Sequence, residues 1–365
     1  MNFDLTEERQ MLRDTLRRFL RQKYTTEVRN GIIASETGIS SDIWSALAEL
    51  GVLAALFPED QGGFGGQAFD VAVVFEELGR AGVVEPFLDT GVLGGRILGA
   101  AGDLERLEAV IAGGLQLALA HAEPTSRYAL SHVHTGADGT RITGRKAVVL
   151  NAEAADYLIV SARVRGSFDD ADGISLFLVP GDADGLTIQG YPLLAGGRAA
   201  EVILENVEGT RIGSEGAAYP MIADAVAAAT VAQIAETLGA METATALTLD
   251  YLMTRKQFGR PIGTFQALAH RMADLLIEME QARSAVINAA GYFDTSERDL
   301  NISAAKNLIG RAGRLVAEEA VQMHGGIAMT QEYELAHIAK RIVMADHRFG
   351  DTDYHLERFI ELGIA

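Results

Sequence analysis

Between Leu117 and Val207 the chain changes its hydrophobic period, and that change limits the possible folds more than any other feature. TRITGRKAVVLN (Thr140 to Asn151), DYLIVSARV (Asp156 to Val164), GISLFLVP (Gly173 to Pro180) and AAEVILENV (Ala199 to Val207) are short and rich in β-branched residues. Gly-Ala-Asp-Gly, Asp-Asp-Ala-Asp-Gly and Asp-Ala-Asp-Gly punctuate them as turns. Strands with no helical segment between them predict an antiparallel barrel or sandwich rather than a βαβ sheet. On the N-terminal side, from Asp4 to about Glu108, apolar residues recur at helical spacing. Leu12, Leu16, Phe19 and Leu20 make one stripe, with Asp4 as N-cap and Glu7 at its N3 position. FPEDQGGFGGQ (Phe57 to Gln67) interrupts this part as an irregular loop. From about Tyr219 Ala-rich helical segments return, and apart from an isolated Gly239 no turn signal breaks the first before Lys256. The expected class is α+β multidomain: a helical domain over 1–115, a β domain over 116–212 and a second helical domain over 213–365.

A chain of 365 residues that is 48% hydrophobic can bury a large core and is not disordered. Its formal net charge of −19 argues against nucleic acid and anionic lipid as partners, and points to a small anionic ligand held by local positive charge. Cysteine is absent, which removes disulfides and thiolate chemistry. MNFDLTEERQ carries acids and no apolar h-region, and Asp224 and Glu236 interrupt the Ala-rich stretch before it reaches about 18 uncharged apolar residues. The expectation is a cytoplasmic protein that does not cross a membrane.

Several chemistries fail on context. GFGGQA (Gly63 to Ala68) has dinucleotide-like spacing, but no strand leads into it and no clear helix start with a downstream acid follows. Neither G-x-x-x-x-G-K-[ST] nor G-x-S-x-G occurs. His132 and His134 lie two apart on an expected strand, yet without a third ligand they read as solvated imidazoles, and no metal is expected.

Two stretches near the C-terminus carry more. In RKQFGRPIGTFQALAHRMADL (Arg255 to Leu275) a helix should end at Gly259 and Pro261 and another start near Thr264. Arg255 and Lys256 then sit in a last turn, available to an anion. In AKNLIGRAGRLVAEEAVQMHGGIAM (Ala305 to Met329) a helix runs into Gly325-Gly326, where a ligand could approach the backbone.

R-x-x-F-G-x-P-[IL]-x-x-F-Q followed by Q-x-x-G-G resembles the acyl-CoA dehydrogenase family. Phe57 to Gly66 is similar to its P-E-x-x-G-G-x-G loop, MNFDLTEERQMLRDTLRRFL to its opening helix, and ILENVEGTRIGSEGAAY to the exit from its β domain. The resemblance covers essentially the whole chain. It implies a middle β-barrel, a C-terminal four-helix bundle, and an FAD enzyme that introduces a double bond between Cα and Cβ of a CoA thioester. It assigns Arg255 to the FAD pyrophosphate, Phe258 to the adenine, Gln266 to a cofactor hydrogen bond, and Gln322, Met323, His324, Gly325 and Gly326 to the adenosine half. These groups would act across a subunit interface, and electrons would pass to an electron-transferring flavoprotein.

Two segments depart from the family pattern. Where a hydroxyl-rich flavin loop is expected, LALAHAEPTSRY (Leu117 to Tyr128) keeps only Glu123 and Pro124. KAVVLNA (Lys146 to Ala152) keeps Asn151 and Ala152, with Val148 and Leu150 in place of an aromatic and a hydroxyl residue. The usual catalytic glutamate aligns with Phe349, and a two-residue shift brings in Asp351, the expected base, though its side chain is shorter by about 1.5 Å. Relatives with the base on an earlier helix would place it near Ala229, while Glu236 and Glu242 read as surface or core-edge residues. The departures in the β domain and at the base point to a heteromeric pair, and FPEDQGGFGG, QMHGGIAMTQEY and the FGD ending resemble the small-subunit group, such as the pimeloyl-CoA dehydrogenase small subunit. The resemblance therefore implies either a homo-oligomer active through Asp351 or one chain of an α2β2 heterotetramer. A non-redox acyl-CoA-binding protein and another flavin enzyme of the same fold are the alternatives.

Overall fold

The computed structural model describes residues 5–364, so Asp4, the expected N-cap, lies outside the described residues. Helix α1 (Glu7–Lys23) is capped by Thr6, whose hydroxyl accepts the Arg9 N–H at 3.3 Å. Glu7 and Glu8 in its first turn and Arg21 and Lys23 in its last complement the helix dipole. Leu16 and Leu20 are buried and Leu12 and Phe19 half-buried, so the stripe faces inward as its spacing predicts. Helices α2 (Thr26–Ile33), α3 (Ser41–Glu49) and α4 (Ala68–Ala81) follow, then a π-helical stretch over Phe87–Gly95 and helices α5 (Arg96–Ala101) and α6 (Leu104–Ile111). The chain divides into two compact units. One takes residues up to Asn30, Ala68–Val83 and those from Thr230 onward; the other takes Gly31–Gln67 and Val84–Ala229.

In the second unit eight strands form one sheet: β1 (Leu117–Ala120), β2 (Gly136–Asp138), β3 (Arg141–Leu150), β4 (Tyr157–Arg163), β5 (Ile174–Pro180), β6 (Leu186–Pro192), β7 (Arg198–Glu208) and β8 (Thr210–Ile212). The strand order is β6-β7-β3-β2-β4-β5-β8, with β1 on β4. This corrects the expected antiparallel barrel in two respects. The two end strands, β6 and β8, do not pair among the described residues, so the sheet is not closed, and both β1 and β2 run parallel to β4. Ile142, Leu158, Val160, Phe177, Val202 and Leu204 form the core on its inner face. The sequence runs named above contain β3, β4, β5 and most of β7. The edge strand β6 was not among them, because its apolar residues are interrupted by Gly190 and Pro192, which an edge tolerates.

The first unit turns on α7 (Tyr219–Thr254), the unbroken helix expected from the Ala-rich stretch. By length and composition α7 could cross a membrane, but 78% of its most apolar window is buried inside the protein, as in a core helix. Gly239 has a packing reason. A Cβ there would collide with the Glu76 carbonyl on α4, and one at Gly79 would collide with the Glu236 carbonyl on α7, so the two helices cross backbone to backbone. Around the crossing, Glu77 pairs with Arg17 and Arg80, Glu236 with Arg341, and Glu242 with Arg80 and Arg283. Of the two roles expected for Glu236 and Glu242, surface or core edge, the structure shows the second: both are members of an internal ion-pair layer. Beyond α7 come a two-stranded hairpin, β9 (Lys256–Gln257) and β10 (Arg260–Pro261), and helices α8 (Gln266–Gly291), α9 (Arg298–His324), α10 (Glu334–Ala345) and α11 (Thr352–Ile364). α8, α10 and α11 all pack on α9. Gly239→Ala should lower stability by about 3 kcal/mol, because neither backbone at the crossing can yield to a methyl group; a urea-denaturation midpoint measures it.

Candidate functional site

The expected helix end at Gly259 is a hairpin instead. α7 stops at Thr254, and β9 and β10 are joined by Phe258 and Gly259, both with positive φ (52° and 79°). Two such residues make the tight hairpin turn that usually carries Asn-Gly. A phenylalanine held there is strained, and strain of this kind gathers at functional positions. Phe258 is 92% exposed. Its ring meets Phe265 edge-on at 6.1 Å, and the Arg260 guanidinium lies 4.1 Å from the Phe265 ring centre. Arg255, Lys256 and Gln266 are also exposed, and neither Arg255 nor Lys256 has an ion pair among the described residues.

The stretch Gln322 to Gly326 splits into two groups. Met323 and His324 are buried, while Gln322, Gly325 and Gly326 face out. The His324 ring stacks on Tyr251 of α7 at 4.5 Å. Its Nδ1–H donates to the Ala320 carbonyl at 2.8 Å and its Nε2 accepts from the Tyr333 hydroxyl at 3.1 Å. Burial pushes its pKa below the ordinary value. His324 thus anchors the end of α9 to α7, leaving the glycines to meet a ligand. Gly325 has φ 71° and ψ −149°, a region essentially reserved for glycine. A Cβ on Gly325 or Gly326 would touch nothing within 4 Å, so open space lies before both.

In the sheet unit Glu123 and Asn151, which the family resemblance places among the cofactor contacts, are engaged internally. Glu123 accepts from the His134 and Thr135 N–H groups at 2.8 and 2.9 Å and from Lys146 Nζ at 2.8 Å. The lysine and these bonds hold its pKa at about 2 against the opposing effect of burial. The Asn151 side chain lies 3.4 Å from Gln116 Oε1 and from the Leu117 carbonyl. Val148 sits in a bulge of β3 with φ 53° and is 52% exposed. His134 is exposed and His132 half-buried, as solvated imidazoles would be, and both also lie against Phe168: His134 stacks on it at 4.5 Å and His132 meets the same ring edge-on at 5.2 Å. Among the described residues no group of three or more potential ligands is placed to hold a metal. A helix start, α4 at Ala68, does follow GFGGQA, contrary to expectation; the segment before it is loop and 3-10 turn rather than strand.

Asp351 caps a helix. Its Oδ1 accepts the Tyr354 N–H at 2.9 Å and its carbonyl the His355 N–H at 3.0 Å, which makes it the N-cap of α11. The preceding corner is tied to α9. Lys306, 2% exposed, donates to the Ala345 and Asp346 carbonyls at 2.9 and 3.1 Å, and Asn307 donates to the Thr352 carbonyl at 2.9 Å. His355 donates from Nε2 to the Phe349 carbonyl at 2.9 Å and accepts at Nδ1 from Ser303 at 3.3 Å. Phe349 and Gly350 take φ values of 60° and 107°. A side chain at 350 would collide with Tyr354 and His355, so this corner has no room for a carboxylate there. Ala229 is fully buried in α7 and offers no base.

The comparisons with known proteins agree with this architecture. Sequence models for the N-terminal, middle and C-terminal domains of acyl-CoA dehydrogenases match residues 6–108, 118–207 and 219–361. Acyl-CoA dehydrogenase IpdE2 of Mycolicibacterium smegmatis is 31% identical over 338 residues, covering 92% of this chain and 93% of that protein. A variant of the Tcur3481–Tcur3483 steroid ACAD superposes with a TM-score of 0.87 at 29% identity over 98% of both chains. PigA with FAD and proline gives 0.90 at 25% identity over all of both. The chain belongs to the acyl-CoA dehydrogenase family.

Burial lowers the His355 pKa from 6.5 to about 4. The unfolded chain binds the proton more readily, so this contribution to stability is complete above pH 6.5 and is lost as pH falls toward about 4. Between pH 7 and 4 the urea midpoint should fall, and His355→Asn should reduce that fall by on the order of 2 kcal/mol.

Proposed function

We propose that this chain is an FAD-dependent acyl-CoA dehydrogenase that forms an α,β double bond in a CoA thioester. The observation that carries the reading is the outward-facing set at the ends of α7 and α9: Arg255 and Lys256, exposed and without an ion pair among the described residues, strained and exposed Phe258, and open Gly325-Gly326. Their chemistry fits the adenosine and pyrophosphate half of FAD. A planar guanidinium suits a pyrophosphate, an exposed aromatic suits a purine, and bare glycines admit close approach. Arg255 and Gln266 hold the phosphate side, Phe258 covers the adenine, and Gln322, Gly325 and Gly326 complete the cradle, with Met323 and His324 supporting it from within.

When bound, FAD supplies the acceptor for the hydride that leaves Cβ. The protein removes the Cα proton, which the thioester carbonyl has made acidic. In the first reading Asp351 is that base. The second reading, favoured by the capping bond of Asp351 and by the internal engagement of Glu123 and Asn151, is a heteromer. This chain then supplies the adenosine site and a second dehydrogenase chain supplies the base and side-chain contacts to the flavin ring. The assembly is a homo-oligomer or an α2β2 heterotetramer, and it works in the cytoplasm with an electron-transferring flavoprotein. Its three parts are 1–115, 116–212 and 213–365, the last built around the family's four-helix bundle.

Asp351→Asn separates the two readings, because asparagine caps a helix as well as aspartate does. If Asp351 is the base, acyl-CoA-driven bleaching of the flavin should slow by about 10²–10⁴-fold with stability unchanged; an unchanged rate assigns the base to the partner chain. Arg255→Ala should weaken FAD binding by about 10–100-fold through loss of charge-assisted bonds, as read by flavin fluorescence on titration.

A further inference from the structure

The sheet of the second unit has a seam. β1 pairs with β4 over Tyr157–Val160, whereas β2 meets β4 only at Arg163, so Ser161 falls between the two registers. Lys146 of β3, with no exposed surface, spans this seam. Its Nζ donates to Ser161 Oγ at 3.0 Å, to the His121 carbonyl at 3.2 Å and to Glu123 Oε1 at 2.8 Å, so all three ammonium protons are used. The next residue, Ala147, donates its N–H to the Ala122 carbonyl at 2.8 Å. The His121 ring bonds Ser161 Oγ at 2.8 Å. Burial and the neighbouring ammonium lower the His121 pKa to about 3, which keeps the ring neutral. Three consecutive residues, His121, Ala122 and Glu123, are therefore held by Lys146 and Ala147 just where the chain leaves β1.

We propose that Lys146 is a positioning residue for the segment His121 to Arg127, fixing its backbone so that main-chain groups, in place of the missing hydroxyl side chains, contact the flavin ring. This rests on the reading of the chain as an FAD enzyme. Up to Ser126 the polar side chains of the segment are engaged locally: the His121 ring on Ser161, the Glu123 carboxylate on Lys146 and two N–H groups, Thr125 on His132, and the Ser126 hydroxyl on the Glu123 backbone, while Ala122 has none. Arg127, exposed and with φ 46°, ends the held stretch in a left-handed conformation that a long side chain seldom adopts.

The test compares Lys146→Met with the double variant Lys146→Met/Glu123→Gln, each as the full chain in whichever assembly binds FAD. Removing one member of a buried ion pair strands the other, whereas removing both charges relieves that penalty. The double variant should therefore regain thermal stability and carry the test even if the single variant does not fold. Positioning by Lys146 requires that FAD affinity stay about tenfold weaker in the stable double variant and that the flavin absorption bands lose their fine structure. Wild-type affinity and band shape in that variant would overturn the inference and leave Lys146 a purely structural group. Failure of the wild-type chain to bind FAD, alone or with a second dehydrogenase chain, would instead overturn the reading on which the inference rests.

Discussion

The structure of the first unit depends on the contact between α4 and α7 at Gly79 and Gly239. With no Cβ on either side the two backbones touch, and the carboxylates flanking the glycines are drawn into an internal layer. Isolated buried carboxylates would be costly, so each finds an arginine: Arg17, Arg80, Arg283 or Arg341. These arginines come from α1, α4, α8 and α10, so the crossing also sets where four helices stand. α7 is thereby held along its length, and its far end presents Tyr251 to His324 and Arg255 to solvent.

From that scaffold the candidate site follows by a division of labour. Inward residues, Met323 and His324, are spent on packing and hydrogen bonds; outward ones, Phe258, Arg255 and the paired glycines, are exposed, and Arg255 has no ion pair among the described residues. An exposed aromatic in a strained turn is hard to explain by folding alone, since a smaller or more flexible residue would serve the turn better. In the sheet unit the reverse holds. Lys146 satisfies Glu123 and Ser161, and Asn151 turns to Gln116 and the Leu117 carbonyl, so these polar side chains are engaged within the unit.

Much of the fold could be read from local pattern, because α7 and the strands β3, β4 and β5 owe their existence to runs of one period. Short strands such as β1 and β2 could not be read, since four and three residues carry too little periodicity. The β9–β10 hairpin was hidden because Phe-Gly stands where Asn-Gly normally announces such a turn. The reasons for Gly239, for the burial of Glu236 and for the clasp of His132 and His134 on Phe168 are tertiary: each depends on a residue far away in sequence. The motif residues were legible individually, but which of them turn inward was not. Asp351 illustrates the limit most clearly, because a carboxylate just before a helix serves equally well as a cap or as a base, and sequence alone cannot tell which. The Tyr354 N–H on its Oδ1 makes the capping role explicit.

The central claim is that this fold and this outward-facing set serve a flavin enzyme acting on CoA thioesters. The visible absorption spectrum of the purified chain, alone and co-expressed with a second dehydrogenase chain, tests it most directly when recorded anaerobically before and after addition of acyl-CoA esters. The account requires flavin bands in at least one of the two preparations and their bleaching by an ester as electrons leave the substrate. A protein that binds CoA esters but carries no flavin in either preparation, or whose flavin bands no ester bleaches, would contradict it.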